Sequence, residues 1–150
     1  MKKLIALIII MAAAAMAGSA AEKKSEWTVE KWHAARASDD YREMYFLVQS
    51  GKTVSAARAE LGDVALFRRY VELLERHFPK YSPGVVSTAL LHMEKLLPAI
   101  EPTRALVDLT SINSRITFVA DKYPERWHAP LKRITRMLET AVKRQEQPRP

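Results

Sequence analysis

Proline residues divide this sequence into segments of helix length, and their spacing restricts the fold more than any other feature. Between residues 21 and 147 prolines stand at positions 79, 83, 98, 102, 124 and 130. Proline suits the first turn of a helix but not its interior, so each one marks a helix boundary. The segments between them repeat apolar residues with the helical period, and none alternates as a strand does. The sequence therefore predicts an all-α protein, a small bundle of five to six helices.

The boundaries of these helices follow from capping residues and glycines. The expected helices are residues 28–50, 54–61, 64–78, 83–97, 102–122, and 124 or 130 to about 147. The first can break at residues 38–40, Gly51 is expected to end it, and Thr53 is expected to cap the next. In the helix over residues 64–78, the spacing predicts a buried stripe of Val64, Phe67, Val71, Leu74 and Phe78.

The N-terminus has the three parts of a secretory signal peptide. Lys2 and Lys3 precede an uninterrupted apolar or small-residue run that ends at Ala21. This pattern predicts a signal peptide over residues 1–20, cleavage near Ala20 or Ala21, and a periplasmic or secreted protein. The alternative is an uncleaved anchor, because the run approaches the length of a membrane helix. Residues 21–147 then form the helical domain, and residues 148–150 a disordered tail.

The composition restricts the chemistry that the domain can perform. The chain has no cysteine, which excludes disulfides, thiol catalysis and cysteine-type zinc sites. We find no phosphate-binding loop, no nucleophile elbow and no carboxylate pair placed for glycosidase chemistry. The sequence therefore favours a non-enzymatic protein without a cofactor.

The positive charge of the domain is concentrated near its C-terminus. Residues 122–150 carry eight positive and three negative side chains, whereas residues 21–121 carry 14 of each. The last predicted helix places its basic residues away from its apolar ones; these are Lys132, Arg133, Arg136, Lys143 and Arg144. Such a helix can bind a protein partner (an envelope-complex component, a toxin or a client) or an anionic membrane surface. It can also be an ordinary terminal helix with a solvated basic face.

A pentapeptide that occurs twice predicts an alternative metal-binding function. Both copies contain Glu-x-x-His, with Glu30 and His33 in the first and Glu125 and His128 in the second. Paired motifs of this kind hold iron or another transition metal in some helical bundles, and a haem role is the related possibility. Both copies also lie in a predicted first helical turn, where a glutamate simply complements the helix dipole.

Residues 53–74 have the pattern of a helix-turn-helix, with Gly62 at the turn and Arg68 and Arg69 in the second helix. The predicted export removes the chain from DNA, so we expect no nucleic-acid partner. Arg68 and Arg69 are instead expected on a solvated face.

Overall fold

The computed structural model describes residues 27–147, and this part of the chain is all-α. It contains seven α-helices: α1 (Val29–Ala37), α2 (Glu43–Gln49), α3 (Gly51–Leu61), α4 (Asp63–His77), α5 (Pro83–Leu96), α6 (Pro102–Lys122) and α7 (Pro124–Glu146). Short 3-10 turns, Phe78–Lys80 and Leu97–Ala99, extend α4 and α5. The prediction of an all-α fold is confirmed. The predicted signal peptide and C-terminal tail lie outside the described residues.

The predicted first helix is interrupted between α1 and α2, so the described residues contain more helices than the five to six expected. Asp39 has a positive φ of 56°. The Ser38 hydroxyl donates hydrogen bonds to the carbonyls of Ala34 and Ala35, at 3.0 and 3.1 Å, and so closes the end of α1. The Asp40 carboxylate accepts a hydrogen bond from the Arg42 backbone N–H at 2.9 Å, which starts the next turn. The possible break at residues 38–40 is therefore present.

Helix α3 begins earlier than predicted, and its cap is a different residue. Gly51 is the first residue of α3 and does not end the preceding helix. Ser50 is the N-cap, with its side chain accepting from the Thr53 backbone N–H at 3.2 Å. Thr53 is buried, and its hydroxyl donates to the Trp27 carbonyl. Ser50 is extended and can cap, whereas Thr53 already lies inside the helix.

Helix α4 runs through the core, and its buried face differs from the predicted stripe. Phe67, Val71, Leu74 and Phe78 are buried as predicted, but Val64 is 52% exposed. The further buried residues are Leu66, Tyr70 and Leu73. Neighbouring helices cover α4 over a wide arc centred near Tyr70 and Leu74, and Val64 lies about a quarter turn from that centre.

Helices α6 and α7 form the longest pair, and Tyr123 alone connects them. Leu109, Ile112 and Ile116 of α6 are fully buried, as are Ile134 and Ala141 of α7. Helix α7 begins at Pro124, and Pro130 is a buried residue inside it. In α7 Met137 is also buried, whereas Val142 is 41% exposed. None of the helices in residues 27–147 combines the length and the apolar character needed to cross a membrane.

Candidate functional site

Two of the five basic residues predicted to bind a partner form ion pairs with one glutamate of α5, Glu94. Arg136 pairs with Glu94 at 3.1 Å, and Arg133 lies 3.8 Å from the same carboxylate. Lys132 and Lys143 are exposed. The basic face of α7 is thus partly neutralised by the bundle on which it packs, and the two lysines are exposed charges on it.

Arg144 has a structural role at the end of α5. Its guanidinium donates hydrogen bonds to the carbonyls of Leu97, Pro98 and Ile100, at distances of 2.7 to 3.1 Å. The last carbonyls of a helix have no partner within the helix, so a side-chain donor satisfies them. Arg144 therefore joins the end of α7 to the turn after α5, and a substitution there would affect the stability of the fold.

The two Glu-x-x-His motifs lie in the first turns of α1 and α7. Glu30, His33, Glu125 and His128 are all exposed. The His33 imidazole is within 2.8 Å of a carboxylate oxygen of Glu60 on α3. Within residues 27–147, no three His, Asp or Glu side chains gather in a way that could hold a metal ion. The structure therefore does not bring the two motifs together around a common metal position.

A buried ion pair, which the sequence pattern did not indicate, connects α2 with α4. Glu43 is fully buried, and its carboxylate accepts hydrogen bonds from Trp32 Nε1 at 3.1 Å and Arg69 Nε at 2.9 Å. Arg69 also donates to Glu72 at 3.0 Å and lies 3.6 Å from Asp39. Only 13% of the Arg69 side chain is exposed, so the expectation that it lies on a solvated face is wrong. The helix-turn-helix interpretation thus loses one of its two basic residues.

The electrostatics of this centre follow from burial and pairing. Burial alone would lower the pKa of Arg69, but its hydrogen bonds to Glu43 and Glu72 outweigh burial and raise the pKa above its usual value. Burial raises the pKa of Tyr70, whose hydroxyl lies 2.8 Å from His92 Nδ1. Burial, with a contribution from Lys95, lowers the pKa of His92. At neutral pH Arg69 is therefore charged, whereas Tyr70 and His92 are neutral.

A small cleft lies beside His92 and has polar residues at its border. It measures about 160 Å³ and is bordered by Ser55, Arg58 and Lys95. The Arg58 guanidinium is already paired with Asp63 at 2.7 and 3.0 Å, which keeps the pKa of Asp63 below its usual range. With Arg58 neutralised, the cleft offers one lysine and a histidine whose pKa is lowered, a weak set of donors for an anion.

An apolar depression lies between the end of α4 and helix α6. We call it the α4–α6 groove; it measures about 430 Å³ and is lined by Phe78, Pro79, Ser114, Arg115, Phe118 and Val119. Phe118 is 69% exposed, although it is one of the largest apolar side chains of the chain. Large contiguous apolar patches on folded domains mark interaction sites, so an exposed phenylalanine beside an apolar depression makes this region a candidate site.

The groove continues along one face of α6, which we call the outer α6 face; it is formed by Val107, Ser111, Ser114 and Phe118. Spacings of four, seven and eleven residues place these side chains in one row along the helix. Val107 is 61% exposed, so an exposed apolar residue stands at each end of the row, with two small serines between them. The signal was present in the sequence, since Phe118 falls outside the inward face of α6.

Comparisons with known proteins do not identify a relative. No family model matches the sequence, no curated protein is significantly similar to it, and no solved structure matches the fold. Any assignment of function therefore rests on the residues described above.

Proposed function

We propose that this chain is an exported, non-enzymatic protein that binds another protein, and that the α4–α6 groove is the centre of its binding surface. Export to the periplasm or beyond is supported by the leader pattern of residues 1–21. Binding is supported by the exposure of Phe118, the single observation on which the proposal depends.

The exposure of Phe118 has a physical consequence for binding. Burying a phenylalanine side chain stabilises a fold or a complex by about 1.5–3 kcal/mol. Because Phe118 is mostly exposed in the domain, most of this free energy can be gained when a partner covers it. Aromatic residues and arginine are enriched at the centres of protein interfaces, and they carry much of the binding energy there. Phe118 and Arg115 lie together in the groove. The groove therefore has the composition of an interface centre.

The basic face of α7 is the second surface of this proposal. The predicted partner-binding residues Arg133, Arg136 and Arg144 are engaged within the bundle, whereas Lys132 and Lys143 are not. Two exposed lysines supply long-range attraction, but exposed charges contribute little to affinity at physiological salt. We therefore place the principal contact on the groove.

Site-specific photo-crosslinking in the source cells tests this proposal. A photoreactive phenylalanine analogue replaces Phe118 in the full-length chain, and a matched variant carries it in place of Lys132 on α7. We expect a discrete protein adduct from position 118, found in the exported fraction and identified by mass spectrometry. Adducts from position 132 alone would move the interface to α7, and no adduct from either position would contradict the proposal.

Two further measurements test its alternatives. Flotation with anionic vesicles at low and high salt tests the membrane-surface alternative, because such binding weakens with salt. Metal analysis after incubation with iron, zinc or copper tests the motifs that contain His33 and His128. Stoichiometric metal or salt-sensitive flotation, without a crosslinked protein, would replace the proposed function by one of these.

A further inference from the structure

We infer that the α4–α6 groove takes an acidic polypeptide segment that presents an aromatic or branched aliphatic side chain. This inference rests on the proposed function and specifies the chemistry of the partner. Three features carry it: the apolar lining of the groove, the extent of the outer α6 face, and the sign of the charges at the rim.

The lining of the groove determines which side chain of the partner, here called the anchor, can bind in it. Phe78 and Pro79 form one side of the groove, and Phe118 and Val119 the other, with Ser114 as a small residue beside them. The depression measures about 430 Å³ and is open to solvent on one side. An aromatic or branched aliphatic side chain fills such a site, whereas a polar side chain would lose its hydrogen bonds to water.

The outer α6 face sets the length of the bound segment. Val107 and Phe118 are 11 residues apart, which corresponds to about 16 Å along the helix axis. A partner helix of about three turns, or an extended segment of about five residues, covers this distance. The anchor binds in the groove at one end, and a second apolar side chain packs on Val107 at the other. Between them, the small side chains of Ser111 and Ser114 leave room for the backbone of the segment.

The charged side chains at the rim of the groove determine the charge of the segment that binds there. Arg115 is the charged side chain that lines the groove, and it forms no ion pair with a described residue. The Lys122 ammonium lies 5.6 Å from the centre of the Phe118 ring. Helix geometry places Arg115 and Lys122 on the Val119 side of Phe118, and Asp121 on the opposite side. Carboxylates of a bound segment would therefore meet two cations at the groove.

The same charges disfavour a second copy of this chain as the occupant. A two-fold symmetric contact brings the same surface of both copies together. In such a contact with antiparallel α6 helices centred on Phe118, Arg115 of one copy would face Lys122 of the other. Like charges opposed across an interface reduce affinity, so an acidic partner fits better.

Selection from a random peptide library tests the inference. Peptides of about 12 residues, long enough to cover the outer α6 face, are displayed on phage and selected on the full chain purified from an exporting host. We expect enriched peptides with Asp or Glu on either side of Phe, Leu or Ile. Phe118→Ala should weaken their binding by about 10- to 100-fold, because the anchor loses its main apolar contact.

Matched variants separate charge from packing. Arg115→Glu combined with Lys122→Glu should weaken acidic peptides by about tenfold or more, and higher salt should weaken the wild type in the same direction. Lys132→Glu with Lys143→Glu is the control at equal charge change. It should leave the affinity within about threefold, because these exposed lysines lie on α7 and do not line the groove. Circular dichroism of each variant confirms that it is folded.

The outcomes distinguish this inference from the proposed function. Peptides that depend on Phe118 but are neutral or basic would overturn the acidic assignment. No enrichment, or enrichment insensitive to Phe118→Ala, would overturn the inference even if position 118 still crosslinks to a protein in cells. A concentration-dependent dimer that Phe118→Asp abolishes would identify a second copy as the occupant and overturn it as well. Failure of the crosslinking, by contrast, refutes the proposed function itself.

Discussion

The buried pair of Glu43 and Arg69 should make Arg69 one of the most sensitive polar positions of the protein. We consider Arg69→Met, which keeps much of the length and volume of the side chain but removes the guanidinium. Glu43 is fully buried, so this substitution leaves a carboxylate without its charged partner in the core. Removing one member of a buried pair costs about 3–5 kcal/mol.

The expected loss lies near the lower end of that range. The Glu43 carboxylate keeps its hydrogen bond from Trp32 Nε1 at 3.1 Å, which compensates in part for the lost guanidinium. A domain of this size has a total stability of about 5–15 kcal/mol, so a loss of about 3 kcal/mol is a large share of it. Urea unfolding, followed by circular dichroism and by tryptophan fluorescence, measures the change as a shift of the midpoint.

A neighbouring arginine supplies the control. Arg68 is exposed on the same helix, and Arg68→Met should change the free energy of unfolding by less than about 0.5 kcal/mol. The double variant Glu43→Leu with Arg69→Met should lose less than the sum of its single changes, because no buried charge remains unpaired. A loss below about 1 kcal/mol for Arg69→Met, or strictly additive effects in the double variant, would refute this reasoning.

The remaining predictions concern three further positions. Arg144→Ala should lower the free energy of unfolding by about 2 kcal/mol, because three carbonyls after α5 lose a charged donor, whereas Lys143→Ala should change it by less than about 0.5 kcal/mol. Equal effects in urea titrations would contradict the capping role. Gly62→Ala should lower the free energy of unfolding by about 1–3 kcal/mol, because φ at Gly62 is +82° and an alanine is strained in that backbone conformation. A steric clash is not the cause, since a Cβ at this position would meet no atom within 4 Å. An unchanged unfolding midpoint would show that this turn relaxes freely. The lowered pKa of His92 means that the folded state binds a proton less readily than the unfolded chain, whose histidines titrate near 6.5. The contribution of neutral His92 to stability is thus present above pH 6.5 and is lost as the pH falls below that value. His92→Gln should therefore make the free energy of unfolding depend less on pH between 7 and 5. Parallel profiles of unfolding free energy against pH for the variant and the wild type would argue against this role.

The helices could be predicted largely from local sequence signals, and the errors in their predicted ends and caps also have local causes. Ser82 caps α5 and Pro83 opens it, as the sequence indicates, because both act within one turn. Ser50 and Thr53 are three positions apart and are both of residue types that cap helices, so local preference did not distinguish them. The structure selects Ser50, since Thr53 is buried and bonded to the Trp27 carbonyl.

The candidate surfaces were harder to predict because burial depends on neighbours distant in sequence. Arg69 and Arg136 have the same chemistry, yet the first is enclosed by Glu43 and Glu72, and the second pairs with Glu94 at the surface. Phe118 was visible as an apolar residue outside the inward face of α6. Periodicity alone did not show that α4 would place Phe78 beside it.

The sequence by itself determined that the described chain is all-α and where most of its helices begin and end. Those properties depend on proline, capping residues and a period of 3.6, which act over a few residues. Only the tertiary structure decided which polar groups are enclosed and which apolar ones remain exposed. Contacts between α2 and α4 bury Glu43, and the absence of any covering helix among the described residues leaves Phe118 in solvent. Both result from the packing of segments that are far apart along the chain.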